Sequence, residues 1–277
     1  MHTKAIDIRC MPASDQVIDE LRKCFSQDDI DLRDITALAN QDAIVLANIL
    51  FLVNEIFLKR NSPVVNTLSA AINLVGLQPL KDKLLSIKSL SEEGVGAEKI
   101  YEFELIRSRI YVASHLTQYW ADYMGQTSSE EMYCASMLTG INDLNSCLSG
   151  QSLNDISMLD LDAIDSIQPL YHFSDHDIGL LPDSIQQFHE SSSISERLKL
   201  SIIVYHLVSC VEFGYECESF ENALNNICEY VGIGIHRAGY DFSRQVVEID
   251  KDASHQRLHH CHFLLSTNTE FVNPLTA

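Results

Sequence analysis

Apolar residues recur at intervals of three and four along most of this 277-residue chain, which is the period of an amphipathic helix. Asp31 predicts the N-cap of a helix that runs to about Asn40, because a short acidic side chain can accept from the free N–H groups of a first turn. This helix is predicted to bury Ile35, Leu38 and Ala39. The pattern predicts helices throughout the chain rather than strands.

The most apolar segment runs from Ala43 to Leu58. Its apolar residues cover most of a helix surface, and a helix that is apolar on nearly all sides is a central, buried one. The segment is shorter than the roughly 20 residues that span a bilayer, and Asn48 and Asn54 interrupt it. It therefore predicts the centre of a globular core.

Two shorter helices are predicted next, after a break at Asn61, Ser62 and Pro63. Thr67 begins the first and Gly76 ends it. Pro79 suits the first turn of the second, where its missing N–H has no intrahelical partner. Their apolar stripes contain Leu68, Ala71, Ile72 and Val75, and then Leu80, Leu84, Leu85 and Ile87.

The second half begins after the stretch from Ser91 to Glu98, whose glycines and glutamates predict a flexible connection between two lobes. A long helix is predicted from Ile100 to Met124, ended by Gly125. Further helices are predicted at 128–138, 182–189, 193–213 and 220–231. The residues Val246, Val247 and Ile249 fit a strand or a helix equally well.

These elements predict an all-α fold with two packed helical lobes. The predicted lobes are residues 1–90 and 99–232. They are followed by an extension, 233–277, whose structure the pattern does not predict. The long apolar helix and the short helices around it belong to the first lobe. The boundaries follow the change in composition at Ser91 to Glu98.

The charge balance argues against two classes of partner. The chain has 19 basic and 39 acidic residues, so its net charge is 19 − 39 = −20 with histidine neutral. A field of that sign repels phosphate backbones and anionic lipid surfaces.

No apolar run is long enough for a membrane span, and Met1 to Cys10 lacks the apolar core of a signal peptide. The eight cysteines form no C-x-x-C pair and predict free thiols in a reducing cytoplasm.

Several strings in the first half occur in a recognisable order. They are ITALANQDA at Ile35–Ala43, LANIL at Leu46–Leu50, a proline at Pro63, and TLSAAINLVGL at Thr67–Leu77. This order resembles the HDOD (HD-related output domain) family, which is related to the HD metal-dependent phosphohydrolases. The chain departs from the family pattern at Ala43, where a proline is usual. The resemblance implies an HD-like helical bundle.

The middle of the chain resembles the metal-binding segments of the catalytic HD proteins. Ala135–Asn142 reads ASMLTGIN and resembles the segment AGLLHDIG, whose histidine and aspartate bind metal. Arg107–Ala113 resembles the segment that carries the first histidine ligand. The residues at the matching positions are Ser108, Thr139 and Gly140. The resemblance therefore implies a regulatory module with no metal, cofactor or catalytic residue, and other signalling proteins as its partners.

One tetrapeptide favours the alternative of a metal-dependent HD-type phosphohydrolase acting on a nucleotide or cyclic dinucleotide. His176-Asp177-Ile178-Gly179 spells HDIG, and in such an enzyme His115 and His206 would be further ligands. The residues around this tetrapeptide indicate a loop that enters a helix at Pro182, whereas the HD ligands lie at a helix end. A capping aspartate and a polar loop histidine are the preferred interpretation.

Two histidine groups remain as candidates. His255, His259 and His262 recur at intervals of four and three, so on a helix they would share one face and could hold zinc. A cluster of titrating surface histidines is the alternative, because no carboxylate or cysteine accompanies them at a usual spacing. His115, with Tyr119 and Trp120, is typical of ordinary core, with the lining of a ligand pocket as the alternative.

Overall fold

The computed structural model describes residues 8–27, 29–59, 64–125, 128–149, 196–211 and 218–255. Within these ranges the regular elements are helices, and the only β-type pairing is an isolated parallel bridge between Ala13 and Ser89. The predicted all-α fold is confirmed. None of the helices in these ranges has an apolar stretch that could cross a membrane.

The helices are numbered in chain order, after a short 3-10 helix at Ile8–Cys10. They are α1 (Asp15–Phe25), α2 (Leu32–Ala39), α3 (Ala43–Leu58), α4 (Leu68–Val75), α5 (Leu77–Leu85), α6 (Ala97–Tyr123), α7 (Ser129–Thr139), α8 (Ile141–Ser149), α9 (Glu196–Cys210), α10 (Glu218–Val231) and α11 (Ile235–His255).

The chain divides into two compact units. The first contains residues 1–107 and 137–195, and the second contains residues 108–136 and 196–277. The chain passes between the units at three points, one within α6, one within α7 and one at the start of α9. The lobes inferred from composition stay a prediction about domain organisation.

In the first unit, α3 is the central helix and packs against α4 and α5, while α1 packs against α2 and α5. The prediction for α2 is confirmed, since the Asp31 side chain accepts from the backbone N–H of Arg33 and Ile35 is fully buried. The predicted bounds of α3 are also confirmed. Its buried residues lie on several sides of the helix, as expected for a central element.

The corner between α4 and α5 follows the predicted turn chemistry. Thr67 accepts from the Ala70 N–H at 3.4 Å, and Gly76 adopts a φ of 82°, where a side chain would be strained. Leu80 and Leu84, two of the apolar residues predicted for α5, are buried, whereas Leu85 is 39% exposed. Leu85 is the last residue of α5 and lies about 100° around the helix from the buried Leu84.

The connection after α5 is bound to the start of α1. Ala13 donates to the Lys88 carbonyl at 3.0 Å, and Leu90 donates to the Ala13 carbonyl at 3.1 Å. The carboxylate of Asp15 accepts from both the backbone N–H and the hydroxyl of Ser91, at 2.8 and 2.7 Å. The predicted flexible connection, Ser91 to Glu98, therefore begins at a residue that long-range hydrogen bonds hold against the start of α1.

In the second unit, α9 packs against α10, and α10 packs against α11. The residues 246–249, which fitted a strand or a helix, belong to the helix α11. This helix buries Ala238, Phe242, Val246 and Ile249, which follow at intervals of four, four and three. The helical period in this segment decides the structure over the β-branched composition.

Candidate functional site

The three positions that the family resemblance predicts to match the metal ligands of HD enzymes carry no imidazole or carboxylate. Ser108 lies in α6 in the second unit, and its side chain is 1% exposed. Thr139 is the last residue of α7 and is half-buried, and the buried Gly140 follows it, both in the first unit. These positions offer two hydroxyls and a bare backbone. Stable binding of a divalent transition metal usually needs several nitrogen, sulfur or carboxylate ligands.

The part of the chain that the structure describes contains no group of three or more His, Cys, Asp or Glu side chains arranged to hold a metal ion. His176 and Asp177, the pair of the alternative hypothesis, lie outside the described residues. So do His259 and His262 and the side chain of His255, whose backbone ends α11. Those two hypotheses stay predictions.

His115, the further ligand of the alternative hypothesis, lies between two tyrosine rings of the second unit. Its ring centroid is 4.4 Å from that of Tyr111 and 5.0 Å from that of Tyr133, both in edge-to-face geometry. Burial raises the pKa of Tyr133 well above its usual value, so this phenol stays protonated. The surroundings of His115 are those of an aromatic core cluster.

His206, the other proposed ligand, lies in α9 beside a buried cysteine. The Sγ atom of Cys210, one turn later, is 3.6 Å from its Nδ1 atom. Burial lowers the pKa of His206 to about 4, so the imidazole is neutral at physiological pH. A neutral imidazole next to a thiol is compatible with a soft metal, but these are two ligands where a closed site needs about four.

The residues that carry the family resemblance in the first half build the scaffold of the first unit. Asp42 is fully buried and caps α3, accepting from the N–H groups of Ile44 at 2.8 Å and Val45 at 3.2 Å. Its other oxygen accepts from the Ser14 N–H at 2.9 Å. Burial raises the pKa of Asp42, while the charge of Arg107 and the N–H bonds from Ser14 and Val45 act in the opposite direction.

A buried arginine completes this network. The side chain of Arg107 is 2% exposed. Its Nη1 donates to the Gln41 carbonyl at 2.9 Å, and its Nε donates to Glu104 at 2.7 Å. A charged group this deeply buried needs such partners, because leaving it unpaired would cost several kcal/mol. The helical pattern predicts no role for Arg107, although an arginine between the apolar Ile106 and Ile110, which are both buried, indicates that a buried acceptor lies nearby.

Asn54, which interrupts the apolar pattern of α3, holds the segment before α4. Its side-chain nitrogen donates to the Val65 carbonyl at 3.0 Å, and its side-chain oxygen accepts from the Val65 N–H at 2.8 Å. The amide is buried, and both of these polar atoms are satisfied by the main chain of one residue, Val65. The asparagine therefore has a structural role that accounts for its position in an apolar helix.

The C-terminal end of α8 is bound to the start of α6. Lys99 donates to the Leu148 carbonyl at 3.1 Å, which places a cation at the end of α8, where helix carbonyls are unpaired. The thiol of Cys147 is 3.7 Å from the Lys99 carbonyl. Burial, with a further contribution from Glu102, raises the pKa of Cys147 to about 11. This thiol is therefore protonated and has the character of core rather than of a nucleophile.

The described helices and the HD-related segments without HD ligands define an all-helical protein of the HD-related class. The chain belongs to the HDOD domain family, whose profile matches residues 11–151, just over half of its length. The match ends just after α8, so α9, α10 and α11 lie beyond it. No curated protein matches the chain, and no solved structure matches it either.

Proposed function

We propose that this chain is a non-catalytic signal-transduction module of the cytoplasm, which acts by binding a protein partner or a small regulator. One feature of the sequence supports the proposal: Ser108, Thr139 and Gly140 occupy the positions that the family resemblance predicts to match the metal ligands of HD enzymes. An HD hydrolase depends on a metal that lowers the pKa of bound water to about 7. A hydroxyl or a bare backbone at each position removes the means of holding that metal.

The retained part of the family pattern supports the same proposal. Asp42 and Thr67 cap helices, and Asn54 and Gly76 shape the connections around α4. All four serve the geometry of the first unit, and none of them is a group that would take part in hydrolysis there. A chain that keeps the scaffold residues and lacks the ligands is what binding without turnover requires.

The test uses the purified full chain, stripped of metal and then incubated with Mn²⁺, Fe²⁺ or Zn²⁺. Elemental analysis gives the bound metal, and chromatography follows the hydrolysis of nucleotides and cyclic dinucleotides. We expect substoichiometric metal and no turnover above buffer. His176→Ala/Asp177→Ala, the matched variant, should leave both measurements unchanged. Stoichiometric metal and turnover that this variant abolishes would establish the alternative, an HD-type phosphohydrolase.

A further inference from the structure

The outward side of α11 combines apolar and cationic side chains. His236, Tyr240, Arg244, Val247 and Lys251 follow at intervals of four, four, three and four, so they lie within a band of about 80° on the helix surface. All five are exposed, including 51% of Tyr240 and 41% of Val247. We call these five residues the outer stripe.

The outer stripe is separate from the core of the second unit. The buried residues of α11, Ala238, Phe242, Val246 and Ile249, lie on the opposite side of the helix. That side packs on α10, where the rings of Phe242 and Phe220 have centroids 5.5 Å apart. Tyr240 and Val247 lie away from this contact, on the other side of α11.

The two charged residues of the outer stripe, Arg244 and Lys251, are basic, whereas the whole chain has 39 acidic residues against 19 basic ones. The exposed Glu248 lies beside them on α11. Arg244 takes part in no ion pair with any described residue. Lys251 pairs with Glu248 at 3.0 Å, but both side chains are about 60% exposed, and such a pair contributes little.

We propose that the outer stripe is the docking site for an acidic, amphipathic segment of a partner protein. Its carboxylates would pair with Arg244 and Lys251, and its apolar side chains would cover Tyr240 and Val247. Tyrosine and arginine contribute most of the affinity at many interfaces, and complementary charge sets specificity and association rate. This inference rests on the proposed function and names the partner chemistry of that binding activity.

A protein segment fits this site better than a membrane or a nucleic acid. A bilayer or a duplex is an extended polyanion and would face the acidic surface of the protein as well as the stripe. A short acidic segment can bind along α11 and avoid most of that repulsion. The helix α11 is about 30 Å long, enough for several turns of such a segment.

The probe for the test is a short fluorescein-labelled helical peptide of glutamate and leucine, and binding to the full chain is followed by fluorescence anisotropy at several salt concentrations. Arg244→Glu/Lys251→Glu should weaken binding by about tenfold or more and reduce its salt dependence. Tyr240→Ser/Val247→Ser should weaken it by a similar factor with the salt dependence kept. Thermal unfolding confirms that each variant is folded.

The matched control is Lys59→Glu/Lys83→Glu, which changes the net charge by the same amount. Lys59 lies at the end of α3, and Lys83 lies in α5. It should leave the affinity within about threefold of the wild type. Equal weakening by both charge reversals, or no binding by the wild type, would refute the docking site. So would tight binding of a peptide with lysine in place of glutamate.

Anionic phosphatidylglycerol vesicles and single-stranded oligothymidylate are tested in parallel. If either binds through the stripe while the peptide does not, the proposal of a protein partner is overturned. The result is independent of the assay for turnover. Hydrolytic activity would refute the non-catalytic function and leave the peptide measurement standing, whereas an inactive chain that does not bind the peptide would refute the docking site alone.

Discussion

Arg107 donates from its Nη1 to the carbonyl oxygen of Gln41 at 2.9 Å, across a sequence separation of 66 residues. This bond supports the N-terminal end of α3. The next residue, Asp42, caps α3 with a carboxylate that also binds the N–H of Ser14. The positive charge of Arg107 lowers the pKa of Asp42 and so opposes the effect of burial. This arrangement joins the start of α1, the start of α3 and the middle of α6.

Replacing Arg107 with methionine should lower the free energy of unfolding by about 3–5 kcal/mol, because it leaves buried carboxylates without their cation. Arg107→Lys keeps the charge but not the planar set of donors and should cost less. Urea unfolding followed by circular dichroism measures both. The control is Arg33→Met, at a side chain that is 91% exposed, and its effect should stay within about 0.5 kcal/mol. Equal effects at the two positions would contradict the prediction.

Asp42→Ala should destabilise the protein by at least about 2 kcal/mol, since it removes a helix cap and leaves a buried N–H at Ser14 without its acceptor. Asp42→Asn keeps one side-chain oxygen as an acceptor and should lose less. Chemical denaturation of both variants at neutral pH provides the comparison. An asparagine variant less stable than the alanine variant would show that the cap is not what Asp42 contributes.

His206 should make the protein less stable in mild acid. Its pKa is about 4 in the folded protein, below the usual value of 6.5, so the unfolded chain binds the proton first. Above pH 6.5 the histidine does not change the free energy of unfolding. As the pH drops from about 6.5 to 4, the free energy of unfolding falls by up to about 3 kcal/mol.

The test compares unfolding free energies of the wild type and His206→Gln across that pH range. The variant should lose less stability than the wild type as the solution is acidified. His236→Gln is the control, because it removes an exposed histidine of α11. If the two variants follow the same pH dependence, burial of His206 does not set its titration.

Ser91→Ala should weaken the attachment of the connection after α5 to α1 by about 1 kcal/mol, because Asp15 loses the hydroxyl that donates at 2.7 Å. Despite the opposing effect of burial, hydrogen bonds from Ser91 lower the pKa of Asp15. The stabilisation is therefore present above the unfolded value of about 3.8 and is lost as the pH falls through the folded pKa.

The difference in stability between wild type and Ser91→Ala should accordingly shrink towards zero in strong acid. Ser86→Ala is a suitable control, since the Ser86 hydroxyl donates to the carbonyl of Lys83, three residues earlier in the last turn of α5. A difference between wild type and Ser91→Ala that is constant with pH would show that the carboxylate of Asp15 is not the partner that matters.

The helices follow from local pattern, and the sequence predicted several of their bounds. The apolar run of α3 and the turn residues Thr67 and Gly76 are short-range signals that the structure confirms. The burial of residues at the end of α5 was harder to predict, because Leu85 is an apolar residue that is nevertheless exposed. In α11 the β-branched residues obscured the helical spacing from Ala238 to Ile249.

The network around Asp42 was not predictable from local pattern. Its members come from the start of α3, from α6 and from the residue before α1, and no spacing rule links residues so far apart. The match of Ser108, Thr139 and Gly140 to HD ligand positions depends on the family resemblance rather than on local pattern. It stays a prediction.

The pairing of Asn54 with Val65 reproduces the two hydrogen bonds of a sheet with a side chain in place of a strand. A one-residue insertion or deletion between them would place the main chain of a different residue opposite the Asn54 amide. The two hydrogen bonds therefore restrict the number of residues between α3 and α4. Relatives with a longer or shorter connection should have another residue in place of this asparagine.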